Sequence, residues 1–166
     1  SALLAHTGRI VLPGGSGDVH FEGELVAVIG RRTRNVSPAE ASGCIFGFTC
    51  GNDVSERVWQ KNDLQWWRAK GCDTFAPLGP AIVAGYDWSQ GGIETRVNGR
   101  VVQSGRFGEL LFDPLEIVSH ASRHLTLMPG DAVFTGTPGR TSAIKAGDTI
   151  EVDIEGIGVL RNTVAE

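Results

Sequence analysis

The chain has 166 residues, 41% hydrophobic and 20% charged, a balance that supports a packed core and argues against disorder. Its formal net charge of −4, without clustered Lys or Arg, argues against a nucleic-acid surface. Cys44, Cys50 and Cys72 are odd in number and form no CxxC pair, so they read as reduced thiols of a cytoplasmic protein, and no apolar run approaches a membrane span or a signal peptide.

The first segment, SALLAHTGRIVLPGG, carries a strand-like run at GRIVL and no initiator Met, as a piece of a longer chain would. Next, HFEGELVAVIG, His20 to Gly30, places two glutamates at the head of an apolar run. In a strand, residues i and i+2 share a face, which aims Glu22 and Glu24 at one spot with side-chain bases ~7 Å apart. Two carboxylates so held repel unless a cation separates them. The pair is therefore either two ligands of an oxygen-seeking ion such as Mg²⁺ or Mn²⁺, or part of a solvated strand face. His20 shares that face but lies ~13 Å from Glu24 along a strand, too far to grip the same ion, which gives it a structural role.

Ser37, Pro38 and Glu40 form a helix-start signal, and CIFGFTC reads as a strand. In GNDVSERVWQ, a helical turn beginning near Asp53 would place Asp53, Arg57 and Gln60 at i, i+4 and i+7. Asp53 is then either a third metal carboxylate, with Arg57 and Gln60 holding an anionic substrate, or a helix cap paired with Arg57. Trp59, Trp66 and Trp67 read as core or pocket wall. Lys70 is either a solvated lysine or the cation that stabilises an oxyanion. PAIVA is a further strand, and Asn98-Gly99 between alternating runs predicts a type I′ hairpin. Asp113, Pro114 and Glu116 open a helix over 114–126, on which His120 and His124 share a face, a metal pair only if an acidic third ligand joins them. FTGTPGR sets Thr135 and Thr137 in a Gly-rich turn whose N–H groups could meet a carboxylate or phosphate; it lacks the Lys-Ser/Thr step of a Walker loop. PGD, AGD and Glu155-Gly156 mark turns around the last strands, DAVFTGT and TIEVDIEGIGVLRN. The sum is a mainly β chain with a few short helices (α+β), without repeat or linker, expected to form one domain over residues 1–166.

These segments together, HFEGELVAVIG, GFTCGNDVSERVWQ, KGCDTFAPLGPAIV, RVNGRVVQSG, LTLMPGDAVFTGTPGR and GDTIEVDIEGIGVLRN, resemble the C-terminal catalytic domain of the fumarylacetoacetate hydrolase family over nearly the whole chain. The resemblance implies a mixed β-sandwich roll, a homodimer, and Mg²⁺ (or Mn²⁺) held by Glu22, Glu24 and Asp53. It also implies that Arg57, Gln60 and Lys70 contact substrate, that Lys70 is catalytic, and that Thr137 binds a substrate carboxylate. The implied chemistry is that of 2-oxo (di)carboxylic acids through a metal-stabilised enolate. The first expectation is a 2-hydroxyhepta-2,4-diene-1,7-dioate isomerase of aromatic-acid breakdown or a fumarylpyruvate/acylpyruvate-type C–C hydrolase. An oxaloacetate-type decarboxylase is the alternative, and a non-catalytic, metal-dependent carboxylate-binding module the non-enzymatic one. Hydrolytic members carry a water-activating His and Glu on an N-terminal lid, a segment expected to precede this chain. Two departures from the family wording are Val58, where Asp is common, and His20, where Asp is common before the aromatic residue.

Overall fold

A computed structural model describes residues 2–166. Two five-stranded sheets form the frame. The first has the order β1 (Leu3–Ala5), β7 (Ala76–Val83), β5 (Ile45–Asn52), β4 (Gly23–Ile29), β10 (Ala132–Phe134), and the second β2 (Arg9–Val11), β12 (Gly158–Ala165), β11 (Thr149–Ile154), β8 (Gly92–Val97), β9 (Arg100–Arg106). A two-stranded ribbon pairs β3 (Val19–His20) with β6 (Ser55–Glu56). Pairing is antiparallel except for β1 with β7 and β2 with β12. Four short helices, α1 (Pro38–Ala41), α2 (Arg57–Asn62), α3 (Trp67–Gly71) and α4 (Pro114–His124), complete the mainly β, α+β architecture expected from the sequence.

Apolar side chains from both sheets fill the space between them. Leu25, Ala27, Ile29, Phe48 and Cys50 from the first sheet meet Ile93, Val152, Ile154 and Leu160 from the second, with Val118 of α4 joining them. A second cluster collects Ile10, Val19, Phe21, Val54, Phe75, Ile144, Ile150 and Val164. Burying a side chain such as Phe21 is worth about 2–3 kcal/mol, so the residues beside it in sequence inherit a fixed position.

The helix starts form as their sequences dictate. Ser37 and Asp113 each accept from the N–H three residues on while Glu40 and Glu116 reach back, giving two complete capping boxes with Pro at the first helical position. The hairpin also forms: Asn98 and Gly99 have φ of 51° and 78°, and the Asn98 side chain donates to Asp148 Oδ1 and accepts from Thr149 N.

Three expectations need correction. No helix begins at Asp53; that residue lies in the two-residue link between β5 and β6, and α2 starts at Arg57 with Glu56 as its cap. The reason is that Glu56 has a better use as a cap, accepting from Trp59 N, and Val54 is drawn into the core. Trp66 and Trp67 are not core, being 55% and 75% exposed. They open the five-residue α3, whose buried residue is Ala69. Finally, DAVFTGT is a strand only through Phe134, because the following Thr-Gly-Thr turns toward the head of β4.

Candidate metal centre and anion site

Strand register brings the acidic residues together. β4 and β5 are antiparallel, with Gly23 opposite Asn52, so the residue entering β4, Glu22, meets the residue leaving β5, Asp53. The junction is closed by Asp53 N donating to Glu22 O and Glu22 N donating to Asn52 Oδ1. On either side, Phe21 and Val54 are buried in the same core cluster, which turns Glu22 and Asp53 the other way. Glu24, one step inside β4, reaches the same place. Oxygen atoms of Glu22, Glu24 and Asp53 lie within 4.8 Å of one another, and among the described residues this is the only three-residue cluster of metal-ligating side chains. His120 and His124 lie side by side on α4 with ring centroids 5.2 Å apart and planes tilted by 58°, and gain no third ligand.

Between the carboxylates the second sheet leaves room for backbone alone. A Cβ on Gly23 would stand 2.1 Å from Thr95 Oγ1, so only glycine fits the middle of the ExE triplet. Its carbonyl accepts from Thr137 Oγ1 at 2.8 Å, and Thr137 in turn accepts from the buried Gln103 at 3.1 Å. Thr137 is thus engaged with the scaffold, and a carboxylate contact by its hydroxyl would require it to leave Gly23. Gly136 N donates to Glu24 Oε2 at 2.6 Å, the N–H to carboxylate contact that the Gly-rich turn led us to expect, made here to the protein's own side chain.

Cations surround the acids. Lys70, at the end of α3, donates to Glu22 Oε2 (2.8 Å), Asp53 Oδ2 (2.5 Å) and Ser55 Oγ (2.9 Å). Arg57, at the start of α2, donates through Nη2 to Glu22 Oε1 (2.6 Å) and through Nη1 to Gln60 Oε1 (2.8 Å). Arg57 and Gln60 are therefore three apart on one helix as expected, while Asp53 arrives from a different element. Glu56, which sequence reasoning passed over, is fully buried and accepts from Gly17 N, Asp18 N and Trp59 N. No local signal marked it, because the sequence placed the helix start at Asp53 and the structure moves that start to Arg57. His20 has the structural role expected, bonding Asp18 through Nε2 and Thr141 through Nδ1.

The electrostatics separate the three acids. Burial, and then the charge of Asp53, push the Glu24 carboxyl up to about 8, against the opposing pull of Gly136 N–H. Burial also raises Asp53, with Lys70 working against it. Glu22 is pushed up by burial too, but its hydrogen bonds and charge attraction with Lys70 and Arg57 win and leave it below the usual range. Lys70 is held above its ordinary value, since Asp53 and Glu22 outweigh its own burial. Three clustered carboxylates, one so buried that it resists ionisation, form an all-oxygen donor set that a hard divalent cation would satisfy. Glu22, Glu24 and Asp53 are the residues that could hold it.

A cleft of about 490 Å³ lies beside this centre, lined by Arg106, Leu110, Phe112 and the turn from Thr135 to Gly139. The clustered acids and their cationic partners stand at the carboxylates beside it.

Residues 1–165 match the family described as fumarylacetoacetate (FAA) hydrolase C-terminal. The chain belongs to this family. A solved structure of 5-carboxymethyl-2-hydroxymuconate delta-isomerase from Mycobacterium smegmatis is 47% identical, with a TM-score of 0.97 over 99% of this chain and 65% of that one. Fumarylpyruvate hydrolase from Pseudomonas aeruginosa, solved in complex with Mn²⁺ and pyruvate, is 30% identical with a TM-score of 0.89, covering 98% of this chain and 73% of that one. Human mitochondrial oxaloacetate tautomerase is 37% identical over 99% of this chain, which spans 56% of the human protein's length. The chain thus spans less than two thirds of the mycobacterial and human members of the family to which it is compared.

Proposed function

We propose that this chain is the catalytic domain of an Mg²⁺- or Mn²⁺-dependent enzyme of 2-oxo (di)carboxylic acids, acting as an isomerase of the 2-hydroxyhepta-2,4-diene-1,7-dioate type or as an acylpyruvate-type C–C hydrolase. The observation that carries the proposal is the convergence of Glu22, Glu24 and Asp53 within 4.8 Å, flanked by Lys70 and Arg57. It is supported by relatives named as an isomerase of a hydroxymuconate and a hydrolase of fumarylpyruvate, the latter holding Mn²⁺ and pyruvate.

A divalent ion in the carboxylate cluster would supply concentrated positive charge against which negative charge on a 2-oxo oxygen is favoured. The chain's own groups do the rest. Arg57 offers a planar fork of donors suited to a carboxylate, and its side chain is 22% exposed, open enough to be reached. Lys70 places an ammonium next to the same cluster, where it would stabilise charge as it develops on the reacting oxygen, an effect on the order of several kcal/mol for a major electrostatic group. Gln60 orients Arg57.

Calorimetric titration with Mg²⁺ or Mn²⁺, followed by turnover assays with acylpyruvates, hydroxyheptadienedioate and oxaloacetate, tests the reading. Absence of metal binding refutes it; metal-dependent oxalate binding without turnover of any substrate leaves a carboxylate-binding module instead. Lys70→Met is expected to keep metal binding and lower kcat by roughly 10²-fold or more. Normal turnover in that variant would remove Lys70 from the chemistry. A second reading, keto–enol exchange of oxaloacetate, is favoured by the human tautomerase relative. It is distinguished by following the enol absorbance of oxaloacetate while pyruvate formation, the mark of decarboxylation, is measured in parallel.

A further inference from the structure

Arg57 is aimed by three acceptors, and they differ in how firmly they are held. Glu22 is one of the carboxylates that could turn to a metal, and Gln60 rides on the same six-residue helix as Arg57. The third acceptor is Thr141 Oγ1, 2.9 Å from Arg57 Nη2, and it belongs to neither the acidic cluster nor α2. We propose that Thr141, fixed in turn by His20, is the positioning residue that aims the Arg57 guanidinium at the carboxylate of a bound 2-oxo acid; the inference rests on the substrate class proposed above.

The anchoring of Thr141 is what gives it this ability. Its segment is tied to β3 by a bridge between His20 and Ala143 and by Ile144 N donating to Val19 O, and Ile144 is buried in the second core cluster. His20 Nδ1 lies 2.8 Å from the Thr141 hydroxyl, while His20 Nε2 lies 2.9 Å from Asp18 Oδ1. For the neutral imidazole only one tautomer serves both contacts. The proton sits on Nε2 and is donated to Asp18, and Nδ1 accepts from the Thr141 hydroxyl, whose oxygen then faces Arg57 as an acceptor. Asp18 is held by backbone: its N–H donates to Glu56 Oε1, and its carbonyl accepts from Arg57 N. The circuit Glu56, Asp18, His20, Thr141, Arg57 closes on two residues adjacent in sequence. It fixes both ends of Arg57, backbone and guanidinium, to one ribbon.

The position of Thr141 explains why a hydroxyl and not merely a side chain of that size is needed. Valine has the same shape but no acceptor, and would face the guanidinium with a methyl group. Serine keeps the acceptor and loses only the methyl.

The test is calorimetry of oxalate binding to the Mg²⁺-loaded chain, with metal affinity and Tm measured on the same samples. Thr141→Val is expected to bind Mg²⁺ as the unmodified chain does and to keep its Tm, but to bind oxalate about tenfold more weakly, the loss that one hydrogen bond to a charged group represents. Thr141→Ser should stay within about twofold, and His20→Leu should fall between the two, because Thr141 remains but is no longer oriented. Thr141→Ala serves if the valine variant does not fold. Unchanged oxalate affinity in Thr141→Val overturns the proposal, as does an equal loss in Thr141→Ser, which would assign the effect to packing. Should the unmodified chain bind Mg²⁺ but no oxalate, the substrate class itself is wrong and the proposal falls with it; that result is distinct from a normal chain with a silent Thr141 variant.

Discussion

Glu24 shows how one residue can be costly to the fold and useful to the site. It is 3% exposed, receives one backbone N–H from Gly136, and faces two other carboxylates. Its carboxyl ordinarily titrates near 4.5 and is pushed up to about 8 here, so between those values the folded chain holds a proton that the unfolded chain has released. The metal-free protein should therefore lose stability as pH rises from about 5 to about 8, a slope in Tm readable by calorimetry. Glu22, depressed below its usual range, contributes the opposite slope only at more acidic pH. Saturating Mg²⁺ should reverse the Glu24 slope, because the ion prefers the ionised form. Glu24→Gln removes the charge and keeps an acceptor for Gly136. It should abolish metal binding by calorimetry, leave the metal-free Tm equal or higher, and lose the part of the pH slope that Glu24 contributes. Retained metal affinity would remove Glu24 from the ligand set.

At the level of elements, the site depends on short pieces held by single side chains. α2 has six residues, too few to be stable alone, and no buried residue of its own. It is kept in place by Glu56, whose carboxylate satisfies Gly17, Asp18 and Trp59 N–H groups and so binds the helix start to the segment leading into β3. Glu56→Ala would leave three donors without their acceptor, at a cost of about 3 kcal/mol or more in chemical denaturation. Because Arg57 follows directly, oxalate affinity should fall as well. A second dependence lies between the sheets, where β8 approaches β4 so closely at Thr95 that Gly23 can carry no side chain. The same approach sets Gln103 of β9 behind Thr137. The second sheet, which contributes no ligand, thereby decides the spacing of those that bind.

For the molecule as a whole, the centre sits where both sheets and the ribbon meet, so occupancy should be felt globally. A divalent ion at one hundred times its Kd stabilises the native state by about 2.7 kcal/mol, which for a chain of this size raises Tm by roughly 5–10 °C. Thermal scans with Mg²⁺ and then EDTA should show the rise and its reversal, and Glu24→Gln should show neither. Local signals were legible in the sequence because they act within a few residues. Apolar runs bounded by turn residues marked most of the strands, two Ser/Asp-Pro-x-Glu patterns marked two helix starts, and Asn98-Gly99 between alternating runs marked the hairpin. The ExE pair was equally visible, and the family wording pointed to Asp53, Arg57, Gln60 and Lys70. Spacing alone placed Asp53 on a helix, which was wrong, since a carboxylate can cap a helix from several positions and tertiary packing of Val54 chose Glu56. What the sequence by itself determined is the set of acidic and basic groups and the strands that carry them. Which of those groups meet was decided by the antiparallel register of β4 and β5, the close approach of β8 to Gly23, and the return of the Thr141 segment to the ribbon. Contacts between residues 20 and 141, or 22 and 70, leave no periodic trace in the chain, because they exist only once the core has fixed the elements in space.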